Sequence, residues 1–536
     1  MDSSFLWWRD GVIYQIYPRS FADSNGDGIG DLCGILSRLD YLADLGVDAI
    51  WLSPVYPAPD ADFGYDISDF QAIDPKFGTM EDFDRLLQEA HNRGIRIVMD
   101  MVFNHTSDQH PWFREARKSR DNPFHDYYLW RDPKKDGSAP NNWLSVMGGT
   151  GWKQDGPTGQ MYFHMFYPEQ PDLNWQNPAV RGAVLDIFKF WLERGVDGFR
   201  LDVFNAYFKH PQLADNPLGN LGVRPFEWMV HVNDIDRPEL IPFLQELREL
   251  LDQYPQRYAV GETFLGPNDK AGRYTAPGML HAAFNFDLLE SPLRARRISR
   301  AVLTGQHSLP PDGWPTVVLN NHDNRRSASR YTFTEDDRKL KVAAALTLTL
   351  RGTPFLYYGE EIGMRDIRPT RGQILDRVGK KYWPFYTGRD GCRAPMQWNG
   401  QVNAGFCTDR ARPWLPLHPD YTTRNVETMR EDPDSLFNFY RSLIALRRSH
   451  AALREGMFNP VTYGTRFIMA YLRQTSKETI LIALNFSRLR QRLVLGRELA
   501  RGAKELLLSS ARTEPPQIQN GILSLEPFEA LVMRLE

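Results

Sequence analysis

The sequence predicts an α/β chain: a (β/α)8 barrel, an irregular insertion after its third strand, and a C-terminal antiparallel β domain. Three observations predict it. Short apolar runs rich in Val, Ile and Tyr recur, and a helix-period segment follows each. Between about Asn104 and Asp172 that alternation stops, and Trp, Gly, Asn, Pro and Asp dominate. From about Met457 onward, β-type runs follow one another with no helix between them.

The first set of runs falls at Val12–Tyr17, Val47–Leu52, Ile95–Val102, Val196–Val203, Tyr258–Val260, Thr316–Leu319 and Pro354–Tyr358. Several are nearly all apolar, as strands covered on both faces must be. Between them lie amphipathic helices such as Asp82–Arg93 and Ala179–Arg194, with apolar positions at three- and four-residue steps. This alternation argues a parallel sheet. A doubly wound open sheet is the alternative; seven or eight strands without a dinucleotide fingerprint favour a barrel. The barrel domain then occupies residues 1–103 and 172–456, and the insertion residues 104–171. In residues 457–536 the runs Phe467–Leu472, Thr479–Asn485, Arg492–Leu495, Leu506–Leu508 and Ala530–Leu535 read as a β-sandwich.

Composition excludes several classes of function. The chain has 536 residues, 42% hydrophobic and 24% charged, enough to bury a large core and solubilise its outside. Lys and Arg number 64 against 67 Asp and Glu, a balance of −3 that gives no footing for nucleic acid or an anionic membrane. The three cysteines, Cys33, Cys392 and Cys407, form no C-x-x-C pair. That rules out a disulfide scaffold and argues against a cysteine zinc site. Residues Met1–Asp10 lack the basic start and apolar run of a signal peptide, and no membrane-length apolar stretch occurs. A cytoplasmic monomer or weak homo-oligomer is expected. The 14 Trp and 22 Tyr exceed what a minimal core needs, which suits rings that stack on a ligand.

In a barrel, chemistry sits at the C-terminal ends of the strands. Asp100 ends the third run, Arg200 and Asp202 the fourth, Glu262 the fifth, and His322 with Asp323 the seventh. The two-residue step from Arg200 to Asp202 points both to one face. Any one of these residues reads most simply as a satisfied structural polar group. Several, each ending a different strand, do not, because lone buried carboxylates are costly. Carboxylates and an Arg without phosphate loops or a metal cluster fit glycoside hydrolysis, which needs one carboxyl as acid and another as nucleophile or base.

These residues also carry a resemblance. The stretches Gly11–Pro18 (GVIYQIYP), Asp100–His105 (DMVFNH), Gly195–Val203 (GVDGFRLDV), Gly261-Glu262 and Asn321-His322-Asp323 resemble the α-amylase family of glycoside hydrolases, in its α-glucosidase and oligo-1,6-glucosidase branch. The resemblance covers essentially the whole chain. It implies that Asp202 is the nucleophile, Glu262 the general acid/base and Asp323 a transition-state stabiliser. It implies that His105 and His322 hydrogen-bond sugar hydroxyls, and Arg200 would keep Asp202 ionised and oriented. Members of this kind retain anomeric configuration through a covalent glucosyl-enzyme. By the same resemblance, Tyr65 in Asp62-Phe63-Gly64-Tyr65-Asp66 stacks on the terminal glucose, Asp62 holds its far hydroxyls, and Arg389 pairs with Asp62. That pair would block the pocket beyond one glucose and make the enzyme exo-acting; the other reading is an ordinary surface ion pair. Phe166 and Phe286 stand as pocket walls or as core. Relatives read HDQPR where this chain has His322-Asp323-Asn324-Arg325-Arg326, so Arg325 adds a cation near the acceptor side.

Asp23-Ser24-Asn25-Gly26-Asp27-Gly28-Ile29-Gly30-Asp31 alternates oxygen donors at every second residue. Gly34 at the twelfth position excludes an EF-hand, and the spacing and acidity exclude a phosphate loop. The resemblance implies a structural Ca²⁺ held by Asp23, Asn25, Asp27, the Ile29 carbonyl and Asp31, with Mg²⁺ as a substitute and no organic cofactor; the alternative is an Asx-rich turn without an ion. The expected substrates are short α-glucosides of maltose type, with isomaltose-type bonds also accepted, and sugar or alcohol acceptors. A sucrose-acting or glucosyl-transferring relative and an oligo-1,6-glucosidase are the alternatives. A non-catalytic relative conflicts with the intact carboxylates, and an open-cleft α-amylase with Asp62 and Arg389. Val203, directly after the candidate nucleophile, is stiff at χ1 and is expected to influence linkage choice.

Overall fold

In the computed structural model of the chain, residues 5–535 are described except 220, 223, 266, 267, 333–335, 463 and 464. Eight parallel strands share one sheet: β1 (Ile13–Ile16), β2 (Ala49–Leu52), β3 (Arg96–Met101), β4 (Gly198–Leu201), β5 (Tyr258–Gly261), β6 (Ala282–Ala283), β7 (Thr316–Val318) and β8 (Thr353–Tyr357). Their order is β7-β8-β1-β2-β3-β4-β5-β6. The ends of this row also meet, since the Thr316 hydroxyl lies 3.4 Å from the Ala283 carbonyl, so the sheet is a nearly closed barrel. Seven strands coincide with the seven apolar runs. The sixth, only two alanines long and paired through Val260↔Ala282 and Gly261↔Ala283, carries no β-branched run to announce it.

Strand alternation sorts the barrel side chains into two environments. Ile13, Ala49, Trp51, Val98, Tyr258, Val260, Val318 and Phe355 fill the interior. Their neighbours Tyr14, Ile50, Ile97, Phe199 and Leu356 pack outward under the helices. Trp7, from the short helix Trp7–Asp10, closes the N-terminal end of the interior. Gly198 makes room for it: a Cβ there would come within 2.9 Å of the Tyr258 carbonyl and 3.5 Å of the Trp7 ring. The helices start where local chemistry dictates. Thr79 and Asp82 form a reciprocal capping box for Met80–Asn92, and Asn177 caps Pro178–Glu193 with Pro in the first turn.

The insertion is less irregular than expected. It contains a three-stranded antiparallel sheet in the order Trp130–Arg131, Met161–Phe163, Trp152–Gln154, and a bridge between His105 and Asp172 pins its base. Trp143, Trp152 and Phe163 give it an apolar cluster shared with Leu213 and Phe226 from the segment after β4. The C-terminal region is a five-stranded antiparallel sheet facing a three-stranded one. Ala470, Leu481 and Leu531 from the first and Leu493 and Leu523 from the second form a common core. One helix, Arg497–Gly502, interrupts these strands, against the expectation of none.

Candidate active site

The inward alternation that fills the barrel continues past the C-terminal strand ends, where it turns polar. In β3 the inward Val98 is followed by Asp100; in β4, Gly198 by Arg200 and then Asp202; after β5, Val260 by Glu262. The register sets Asp100 opposite Arg200 and Arg200 opposite Val260. Three carboxylates therefore converge on one buried guanidinium. Arg200 Nη1 lies 2.7 Å from Asp100 Oδ1 and 2.6 Å from Asp202 Oδ1, and Nη2 lies 2.5 Å from Glu262 Oε2. The guanidinium rests 5.1 Å from the centre of the Trp51 ring, whose Nε1 donates to Asp100.

One cation among three carboxylates leaves excess negative charge in a dry site, so a proton is retained. Burial pushes the Glu262 carboxyl up from the ordinary 4.5 to about 8, against the pull of Arg200 and with help from Asp202 and Asp323. Burial and the Asp100 charge also raise Asp202, from 3.8 to about 7, against the pull of Arg200 and of a hydrogen bond from Glu262, so of the two carboxyls Glu262 holds a proton the more tightly. The shared proton thus sits on Glu262 and is donated toward Asp202, which leaves Asp202 ionised. Asp323 goes the other way. Burial would raise it, but His322, Arg393, Arg389 and Arg200 hold it well below the usual carboxylate range. His322 is itself driven down to about 3 by burial and stays neutral, so the permanent charge comes from the arginines, Arg393 Nη2 being 2.7 Å away.

Tyr65 is buried, and its ring lies parallel to His322 at 5.3 Å. The Tyr65 hydroxyl donates to Asp100 and meets His322 Nε2 at 2.7 Å. Gln15, on β1, donates to His322 Nδ1, so the ring proton stands on Nε2, 3.5 Å from Asp323. His105 Nε2 faces the Tyr65 carbonyl at 3.0 Å. Both histidines, expected to meet sugar hydroxyls, already hold protein partners. Phe166 is half-buried between His105 and Phe264, with ring centres 5.3 and 5.6 Å away, while Phe286 stacks on Phe284 beside the barrel interior. Val203 is buried and adopts a left-handed backbone (φ 35°, ψ 38°), costly for a β-branched residue; its N–H lies 3.4 Å from Glu262 Oε2.

Asp62 and Arg389 meet at 2.6 Å, and Asp62 is 4% exposed, which disposes of the surface ion pair. Arg389 Nη1 also lies 3.6 Å from Asp323. Gln170 Nε2 reaches Asp62 at 3.3 Å. Arg325 is largely exposed and pairs with Asp366 at 3.1 Å. Sequence reasoning missed Gln15, Trp51, Gln170 and Arg393 as parts of this site. A polar Gln in an otherwise apolar strand was the available signal for Gln15. The second arginine of Arg389-Asp390-Gly391-Cys392-Arg393 was the signal for Arg393.

The acidic loop lies apart from these carboxylates in sequence and is held by Asx-type turns. Asp23 accepts from the Gly26 and Gly28 N–H groups, Asn25 from Asp27, and Asp27 from Ile29. Asp31 accepts from Ser24 and caps the next helix at Gly34. Among the described residues, no three His, Cys, Asp or Glu side chains gather as a ready metal cluster. The donor chemistry of the loop, oxygen only, fits a hard cation; the Asp23 oxygens and Asp27 Oδ1 each keep a second lone pair, whereas Asp31 Oδ1 already accepts from both the Ser24 hydroxyl and the Gly34 N–H.

Comparison with known proteins agrees with this geometry. A family model described as the alpha amylase catalytic domain matches residues 15–456. An oligo-1,6-glucosidase of Parageobacillus thermoglucosidasius is 41% identical over 569 residues, covering 99% of each chain. A probable alpha-glucosidase of Rhizobium meliloti is 43% identical over 499 residues, covering 90% of this chain and 89% of that one. The crystal structure of an alpha-glucosyl transfer enzyme superposes with a TM-score of 0.93 at 39% identity, covering 99% of this chain and 100% of that one. A trehalulose synthase of Pseudomonas mesoacidophila superposes with a TM-score of 0.90 at 35% identity, covering 99% of each chain. Matched by the catalytic-domain model over most of its length and by full-length relatives at this identity, the chain belongs to the alpha-amylase family of glycoside hydrolases.

Proposed function

We propose that the chain is a retaining, exo-acting α-glucosidase that releases glucose from the non-reducing end of short α-glucosides. The observation that carries this reading is the pair Asp202 and Glu262 held on neighbouring prongs of Arg200, one ionised and one protonated. Two carboxyls sharing one guanidinium suit the close spacing of retaining enzymes, about 5–5.5 Å, rather than the ~6.5–9.5 Å that leaves room for an inverting water. Asp202 attacks the anomeric carbon while Glu262 gives its proton to the leaving oxygen. Glu262 then takes a proton from water or from an acceptor alcohol, which attacks the glucosyl-enzyme. Asp323, kept ionised by its arginines, stabilises the oxocarbenium-like transition state. Tyr65, His105, His322, Phe166 and Asp62 with Arg389 shape the pocket for one terminal glucose. Rates on p-nitrophenyl α-glucoside, maltose, isomaltose, sucrose and starch, with NMR of the first-formed anomer, test it. A β-anomeric product, or starch preferred to maltose, overturns it.

The glucosyl-transfer and trehalulose-forming relatives favour transfer as a second outcome of the same intermediate. About a third exposed at its side chain, Asp323 leaves the acceptor side open to a sugar. We also propose that Asp23, Asn25, Asp27, the Ile29 carbonyl and Asp31 hold Ca²⁺, with Mg²⁺ as a substitute, and that the enzyme works in the cytoplasm. The three unpaired cysteines support a reducing compartment, and no helix among the described residues is long and apolar enough to cross a membrane.

A further inference from the structure

We propose that Asp376 is a positioning residue that fixes the Arg389 guanidinium against Asp62 and so holds shut the far end of the glucose pocket. The inference rests on the exo-glucosidase reading and deepens it. Asp376 is fully buried, and one of its oxygens, Oδ2, accepts both the Arg389 backbone N–H and its Nε–H at 2.9 Å. The other, Oδ1, caps Val378 at the start of the helix Arg377–Tyr382. Arg389 therefore spans two carboxylates: Nε is held by Asp376 and Nη2 by Asp62 at 2.6 Å. An arginine tethered at Nε loses the freedom of its long stem and presents its remaining donors in one plane.

The surroundings fix Asp376 in turn. Asp390 Oδ2 accepts from the N–H groups of Leu375 and Asp376 at 2.6 and 3.0 Å. Gly388 (φ 78°) leaves no space for a Cβ, which would stand 2.8 Å from the Asp376 side chain. The helix that Asp376 caps is tied to the insertion: Arg377 meets Glu169 at 3.1 Å and lies 4.5 Å from the Tyr167 ring centre, and Lys381 donates to the Met147 carbonyl at 2.9 Å. The next insertion residue, Gln170, contacts Asp62. The insertion and the segment that begins the helix Arg377–Tyr382 thus grip the two halves of the end wall, Asp62 through Gln170 and Arg389 through Asp376. A merely structural Asp376 would need only its cap to Val378; the charge-assisted bond to the Arg389 side chain serves the pocket.

Asp376→Asn keeps the size and an acceptor oxygen but removes the charge. It should raise KM for maltose roughly tenfold or more, the loss expected for a charge-assisted hydrogen bond, with a smaller change in kcat. Measured in an Arg389→Ala background, the same substitution should add nothing to KM, because its only route to substrate has gone. Asp376→Glu and a thermal melt monitor folding. Three results overturn the inference: a KM in Asp376→Asn within twofold of wild type, an undiminished effect in the Arg389→Ala background, or a fall in kcat alone matched by a lower melting temperature. Failure of the underlying reading is seen separately, as wild-type cleavage of a maltooligosaccharide whose non-reducing end is chemically blocked.

Discussion

Glu262→Gln tests the electrostatics of the site in two assays with opposite signs. Burial raises the Glu262 carboxyl from 4.5 to about 8, which disfavours its ionised form by about 5 kcal/mol. At pH 7 that gives roughly ten protonated molecules to one ionised. In the wild type, kcat/KM for maltose should therefore fall about tenfold per pH unit above about 8, as the acid is lost. Gln cannot protonate the leaving oxygen, so the variant should lose about 10²–10⁴-fold on maltose, and its residual activity should lack this alkaline limb. A p-nitrophenyl glucoside, whose leaving group needs little help, should keep most of its first-step rate in a stopped-flow burst. Stability moves the other way. The unfolded chain releases this proton near 4.5 and the folded chain near 8, so across that window the folded state holds more protons and loses stability as pH rises. Gln mimics the protonated form and escapes the loss. Its unfolding free energy from denaturant titration should match wild type near pH 4 and exceed it at pH 8, by at most about 5 kcal/mol, since Asp202 and Asp100 take up part of the proton demand. A variant no more stable than wild type at pH 8, or one that keeps the alkaline limb on maltose, would refute the assignment of the shared proton to Glu262.

Asp202→Asn should remove the nucleophile and cut turnover on maltose by at least about 10³-fold; near-wild-type rates would sink its role. Ca²⁺ should raise the melting temperature in a concentration-dependent way, and Asp23→Ala with Asp27→Ala should abolish that shift; a melt insensitive to chelator and to both substitutions counts against a stabilising metal. Val203→Thr or Val203→Ala should raise the kcat/KM ratio of maltose over isomaltose within ~10–200-fold, and no change would clear Val203 of linkage choice. Val203→Gly relieves a left-handed backbone at φ 35° but empties a buried side-chain site, so it should cost no more stability than Val203→Ala, which keeps the strain; a Gly variant clearly less stable than the Ala variant would show that the strain is absorbed elsewhere.

How much of this was legible in the sequence depends on how far apart the cooperating residues lie. Asp100, Arg200, Asp202 and Glu262 could be read because each ends a strand whose apolar run marks it, and alternation then fixes which way it points. The same rule reaches Trp51 and Gln15, two inward positions passed over because a Trp and a Gln inside a strand look like packing. It fails at β6, where Ala282 and Ala283 pair only because their neighbours are in place. The arginines are a different case. Arg389, Arg393 and Asp376 lie after β8, in chain with only short helical turns, where no periodicity says which way a side chain faces. Arg389 was found by its resemblance, and Asp376 not at all, because a carboxylate that caps a six-residue helix looks local. What gives it a second role is a contact 13 residues away, and Arg389 in turn closes on Asp62 across 327. The catalytic carboxylates are a property of strands, which a sequence advertises. The charge balance that lets Asp323 stay ionised and Asp62 stay buried is a property of loops folding back over the barrel, and only the assembled structure displays it.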